Sequence, residues 1–137
     1  MINILVDAGP LIALFDRSDK YHGQVLEFMR NYKGKLLTTW PVITETLHML
    51  DFNINTQLDF MKWINVGGLE VYELKTYHFE RLIQLTSKYA DVPMDLADAT
   101  LIILSEELKI REILTIDSDF YVYRNIRNEY LTNILTK

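Results

Sequence analysis

The feature that most restricts the fold is an alternation. Short apolar runs, "INILVD" (2–7), "KLLTTW" (35–40), "LEVYEL" (69–74), "EILTID" (112–117) and a weaker "YLTNIL" (130–135), recur along the chain, most of them separated by stretches with helical spacing. An apolar run of about four to eight residues reads as a buried strand. Connections long enough to hold a helix join parallel strands by right-handed crossovers. Helices then cover both faces of the sheet, which suits strands that are almost continuously apolar. The expected class is α/β, with a short, mainly parallel sheet between helical layers.

The helical stretches carry their own signals. In "GPLIALFD", Pro10 stands at a helix start, where its missing N–H costs nothing. "HGQVLEFMRNY" (22–32) is amphipathic, with Val25, Leu26, Phe28 and Met29 on or near one face. "PVITETLHML" (41–50) again opens on a proline, and "TQLDFMKWI" (56–64), "YHFERLIQLTSKY" (77–89) and Leu96–Leu108 complete the expected helices.

Length and composition set the outer bounds. With 137 residues, 49% apolar and 24% charged, the chain is expected to form a single domain over 1–137 around one core. No apolar run reaches the ~20 residues of a membrane span. The start, "MINILVDAGP", lacks the basic and cleavage regions of a signal peptide. There is no cysteine, which excludes disulfides and thiolate metal sites and leaves the cytoplasm as the expected location. A net charge of −5 and a pI near 5.1 argue against gripping nucleic acid by bulk electrostatics. They argue less against an enzyme whose acids are gathered at one metal site, since bound cations reverse the local sign.

Ligands of open parallel sheets sit beyond the carboxyl ends of the strands, and acids recur there. Asp7 ends the first strand and Asp117 the fourth. Glu45 lies about one turn into the helix after "KLLTTW", and helical side chains lean toward the N-terminus, back to the strand ends. Asp98 lies in the first turn of the helix begun by "PMDLADATLIIL", with Asp95 just before it; Asp95 and Asp119 are within reach of the cluster. Carboxylates this close do not all ionise unless a cation joins them. A carboxylate-only set suits a hard cation such as Mg²⁺ or Mn²⁺. Phosphodiester cleavage calls for such a site, because a cation activates water and a second one stabilises the leaving oxygen.

Plainer readings stand beside this one. Asp95 and Asp98 also read as a helix N-cap followed by an acid at N3. Asp7 reads as a turn residue and "DSDF" as an Asx-turn. Glu45 and His48, in "ETLH", show the spacing of di-iron carboxylate bundles, but such sites need two copies and this chain has one. His22 and His78 read as surface or near-site residues rather than ligands. Trp40, Trp63 and most tyrosines read as core or rim rather than base-stacking platforms. Arg124 and Arg127, in "YVYRNIRNEY", are candidate phosphate contacts, with a solvated face as the alternative.

Taken in order, "ILVDAGPLIALFD", "DKYH", "TTWPVITETLHML", "KYADVPMDLADATLIILSEEL" and "ILTIDSDFYVYR" resemble the PIN-domain family over roughly Ile4 to Arg124. The nearest branch is the small single-domain prokaryotic proteins, many of them toxin halves of type II toxin–antitoxin pairs (VapC-like). The resemblance implies a three-layer α/β/α sandwich and Mg²⁺- or Mn²⁺-dependent endoribonuclease activity that leaves a 5′-phosphate and a 3′-hydroxyl. By motif, the four family acids map to Asp7, Glu45, Asp98 and Asp117. Asp7 and Asp98 are expected to hold the principal metal, with Glu45 and Asp117 completing the shell. Asp95 and Asp119 match additional acids of this branch, and Thr115 matches a hydroxyl residue near the fourth acid. Many members carry Ser or Thr directly after the first acid, where this chain has Ala8. The resemblance also implies an RNA substrate, a cognate antitoxin and a homodimer, for which the helices at 41–66 offer apolar surface.

Three other functions fit parts of the pattern: a PIN nuclease outside any toxin pair, a PIN fold that has lost catalysis and serves as a binding module, and a receiver-type signalling domain. A receiver needs paired acids after the first strand, a phosphoacceptor Asp ending a middle strand and a Lys ending a late one. "LVDAGP" has one acid, "LEVYEL" ends without an Asp and "LTIDSD" has no Lys.

Overall fold

The computed structural model describes residues 3–135. Strand β1 (Ile4–Val6) is buried at every position. Successive strand side chains point to opposite faces, so unbroken burial means that both faces are covered. Helix α1 (Ala8–Phe15) follows at once, with Asp7 as its N-cap and Pro10 in its first turn. Helix α2 (His22–Asn31) buries Val25. Strand β2 (Leu36–Thr39) is again buried throughout. Helix α3 (Trp40–Met49), with Pro41 in its first turn, buries Val42, Ile43 and Thr46. Helix α4 (Ile54–Asn65) starts two residues before the predicted Thr56, because Asn53 caps it by accepting the Asn55 N–H.

Strand β3 (Glu70–Tyr72) leads through a 3₁₀ turn (Thr76–His78) to helix α5 (Phe79–Lys88), which buries Leu82 and Leu85. Helix α6 (Leu96–Leu108) is buried at every residue from Ala97 to Ser105, so it belongs to the core rather than the surface. It ends at Lys109, whose φ of 56° is the left-handed stop common after helices. Strand β4 (Glu112–Leu114), a second 3₁₀ turn (Ser118–Tyr121) and strand β5 (Thr132–Asn133) complete the order.

All strand pairs are parallel, in the order β3-β2-β1-β4-β5. The sequence thus moves from β1 to β2 and β3 on one side, then returns past β1 to β4 and β5 on the other. Right-handed crossovers place α1–α4 over one face and α5–α6 over the opposite one. This is the three-layer α/β/α sandwich expected from the sequence. Helix α1 packs on α2, α3 and α4, while α5 packs on α6. Helix α3 meets both α1 and α6, which brings Glu45 toward the N-terminus of α6.

The sequence reading overextends the strands. "EILTID" pairs only over Glu112–Leu114, because the Thr115 hydroxyl takes the Asp117 N–H at 3.0 Å and turns the chain out of the ladder. "YLTNIL" pairs only at Thr132–Asn133. The Asn133 side chain bonds the Thr115 carbonyl at 3.0 Å and the Leu135 N–H at 3.1 Å, ending the strand. Residue 2 of "INILVD" lies outside the described residues. His78 is also corrected: it is buried, not on the surface or beside the acids. It accepts the Lys75 N–H at 2.8 Å and pairs with Glu107, tying the first 3₁₀ turn to α6. Glu107 is nine residues beyond Asp98, about 13 Å along the helix axis.

Candidate active site

The strand order reverses at β1, so the crevice between the carboxyl ends of β1 and β4 is the topological switch point. The backbone fixes it tightly. The Asp7 N–H donates to the Leu114 carbonyl at 3.0 Å, and the Thr38 hydroxyl donates to the Val6 carbonyl at 2.8 Å. Asp7 therefore leaves β1 at a set point. Its Oδ1 accepts the Ala8 N–H at 2.8 Å, and its Oδ2 accepts the Thr115 hydroxyl at 2.9 Å. Ala8 offers Asp7 its backbone N–H and no hydroxyl, and the hydroxyl on Asp7 comes from Thr115, just past the end of β4.

Asp117 follows two residues after Thr115. Its Oδ1 accepts the Asp119 N–H at 2.9 Å, so the Asx-turn reading of "DSDF" holds, and the same residue stands beside Asp7 and Asp98. Asp98 arrives from the other direction. Helix α6 runs back along the sheet with its N-terminus at the strands' carboxyl edge, and Asp95 caps it by accepting the Asp98 N–H at 2.8 Å. Asp98 is buried, while Asp95 is exposed. Glu45 faces the group from α3. It lines one cleft of about 360 Å³ with Asp7, Ile116 and Asp117, and a second of about 540 Å³ with Trp40, His48, Asp95 and Leu96.

Asp7, Asp98 and Asp117 each offer one oxygen, all within 4.8 Å of one another. Burial and mutual repulsion register in the proton affinities of Asp7 and Asp98. Desolvation pushes the Asp7 carboxyl up to about 7, against the hydrogen bonds from Ala8 and Thr115 that pull it down. Asp98 rises to about 8, through burial first and then the charges of Asp95 and Asp7. Glu45 is raised by burial and by Asp95 and Asp117, and Asp119 by burial and by Asp117 and Asp95. Among the described residues no Lys or Arg lines the clefts at these carboxylates. Three oxygens from three chain segments, with no soft donor, fit a hard divalent cation.

The structure adds a residue that the sequence reading left among the tyrosines. Tyr123 is fully buried, and its hydroxyl donates to Asp98 Oδ2 at 3.0 Å. No spacing rule links positions 98 and 123. The two arginines offered for phosphate are not brought to the acids. The Arg124 guanidinium lies over the Tyr130 ring and bonds Asn128 at 3.0 Å. Arg127 lines a small hollow with Ser105, Lys109 and Arg111, at the opposite end of α6 from Asp98. His22 bonds the Ala13 carbonyl at 2.7 Å. Trp40 stands exposed at the rim, and Trp63 packs on Phe15 at 5.5 Å.

Known proteins resemble this chain in sequence and in fold. Ribonuclease VapC26 of Mycobacterium tuberculosis (strain ATCC 25618 / H37Rv) is 23% identical over 116 residues, covering 83% of this chain and 86% of the relative. The crystal structure of M. tuberculosis VapC20, described as a sarcin-ricin loop cleaving toxin, superposes with a TM-score of 0.77 at 18% identity, over 87% of this chain and 93% of that one. The likeness to VapC20 is one of fold. The model of the PIN domain matches residues 4–126, nearly the whole chain, and the protein belongs to the PIN-domain family.

Proposed function

We propose that this protein is a metal-dependent endoribonuclease and the toxin of a type II toxin–antitoxin pair. The observation that carries the reading is the meeting of Asp7, Asp98 and Asp117 at the switch point, with oxygens within 4.8 Å of one another and the proton affinities of Asp7 and Asp98 raised. The ribonuclease and toxin named among its relatives support it. Asp7 and Asp98 are the residues to hold Mg²⁺ or Mn²⁺, with Glu45 and Asp117 completing the shell. When bound, the cation supplies Lewis-acid stabilisation of the scissile phosphate and makes water a stronger acid. Glu45 stands between the two clefts, where its carboxylate can orient water and accept its proton. Asp95 and Asp119 add negative charge at the mouth, and Thr115 orders Asp7 against Asp117.

The assembly proposed with this reading is a single domain over 1–137, working in the cytoplasm as a homodimer with a cognate antitoxin. Apolar side chains exposed on and beside α3 and α4, including Met49, Phe52, Ile54, Leu58 and Met61, offer contact surface. Among the described residues no helix is long and apolar enough to cross a membrane. The test is cleavage of RNA by purified protein in Mg²⁺, in Mn²⁺ and in chelator. Cleavage only with the metals supports the reading. Cleavage undiminished in chelator, or none in any condition, refutes it.

A further inference from the structure

Two acids meet the active-site oxygens from the sheet side, and their orientation is explained by the strand ends and Thr115. Asp98 has a different support. It rides on a helix, and its carboxylate is held by a side chain 25 residues further on to which the resemblance assigns no role. The Tyr123 hydroxyl reaches Asp98 Oδ2 at 3.0 Å. The tyrosine that carries it has no exposed surface.

Its ring is fixed on two sides. Phe120 meets it edge-on with centroids 5.2 Å apart, and Tyr89 meets it edge-on at 5.1 Å. Phe120 belongs to the same 3₁₀ turn that Asp117 caps. The Tyr89 hydroxyl in turn accepts the Arg124 N–H at 2.8 Å, which pins the backbone next to Tyr123. Tyr89 also closes α5, and its carbonyl accepts the N–H groups of Val92 and Met94 in the loop that leads to Asp95. One buried aromatic cluster therefore joins the segment carrying Asp117, the loop entering α6, and the carboxylate of Asp98.

We propose that Tyr123 is a positioning residue for the metal site: it fixes the plane of the Asp98 carboxylate so that this acid meets the cation in one orientation. The inference rests on the metal reading above. A carboxylate on a free rotor must be ordered when the cation binds. One anchored at Oδ2 by a rigid, buried donor is ordered beforehand, and the direction of its other oxygen is set with it. Partners that orient ligating carboxylates commonly change metal affinity by about 10–100-fold when removed.

The experiment measures Mn²⁺ binding to the whole protein at one pH, by loss of the free-ion electron paramagnetic resonance signal. Tyr123→Phe keeps the ring and its packing but removes the donor. Tyr89→Phe is its control, removing a neighbouring hydroxyl that bonds backbone and not Asp98. Tyr123→Phe is expected to weaken Mn²⁺ binding about tenfold or more, while Tyr89→Phe changes it less than about twofold whatever it does to the melting temperature. Wild-type affinity in Tyr123→Phe, or equal weakening in both variants, overturns the inference while leaving the metal site intact. Absence of Mn²⁺ binding to the wild-type protein overturns the metal reading and this one together. If Tyr123→Phe does not fold, the Tyr123 Cζ resonance of the wild-type protein is followed during Mg²⁺ titration. A shift sharing the midpoint of metal binding supports the positioning role, and an unmoved resonance rejects it.

Discussion

The Thr115 hydroxyl donates to Asp7 Oδ2 at 2.9 Å across 108 residues of sequence, and the same oxygen accepts the Asp117 N–H at 3.0 Å. One hydroxyl thus sets the distance between two acids of the site. Replacing Thr115 with Val keeps the shape and removes both bonds. Asp7 loses a donor that offsets its burial, and a backbone N–H loses its acceptor. Thr115→Val should lower stability by about 1–3 kcal/mol and metal affinity by about tenfold. Chemical denaturation and a metal titration check the two effects separately; a variant with wild-type metal affinity would show that Thr115 is only structural.

Asp7→Asn and Asp98→Asn should each remove metal-dependent RNA cleavage while leaving the protein folded. The amide keeps the size of the side chain and loses the charge that attracts the cation. Each change also removes like-charge repulsion from a buried cluster, so the melting temperature in chelator should stay level or rise. Turnover unchanged in either variant, with the same metal requirement, would eliminate the proposed site.

Metal-free stability should fall as pH rises from about 5 to 8. Asp7 and Asp98 bind their protons more tightly when folded, near 7 and 8, than at the ordinary value of 3.8. Across that interval the native state holds more protons than the unfolded chain, so rising pH favours unfolding. Their contribution is complete below the unfolded value and is lost as pH passes through the folded ones. Saturating Mg²⁺ supplies the missing counter-charge and should flatten the trend, raising the melting temperature most at the alkaline end. Urea midpoints measured in chelator and in Mg²⁺ test this. A chelator series that gains stability toward pH 8 would contradict the assignment.

Much of this site was legible because a parallel sheet turns sequence order into spatial order. Asp7 and Asp117 follow apolar runs, and a reader who pairs those runs side by side has already brought the acids together. Asp98 was legible because α6 must run back across the sheet. What the sequence concealed was lateral. Tyr123 stands three residues after Phe120, and both are buried while Tyr121 and Val122 between them are exposed, a spacing set by a 3₁₀ turn that the sequence reading of this region did not reveal. His78 was misplaced for a like reason: its partner, Glu107, lies on α6, 29 residues away in sequence. Arg124 and Arg127 looked close to the acids because they follow Asp117 and Asp119 in sequence. The chain instead turns back there, with Arg124 bridged to Tyr130.

That placement of the arginines shapes the last prediction. No Lys or Arg lines either cleft at the acids among the described residues, and the whole chain carries 19 acidic against 14 basic side chains. Without a cation, the cleft repels a phosphate. With one or two bound, the local charge approaches neutrality and the phosphate can enter as a ligand. RNA binding should therefore be weak in chelator and stronger in Ca²⁺, a hard cation that accepts oxygen ligands in loose geometry and serves here as a largely non-catalytic substitute. Each neutralised phosphate of a single strand contributes about −0.7 to the slope of log affinity against log salt. A site served by a cation rather than a basic surface should give a shallow slope. Arg127→Ala should leave that slope and the cleavage rate close to wild type, since the side chain sits at the other end of α6. A titration with and without Ca²⁺ at several salt concentrations decides it. Tight, steeply salt-dependent binding in chelator, reduced by Arg127→Ala, would locate the RNA on the hollow that Arg127 lines with Lys109 and Arg111 and overturn the metal-gated account.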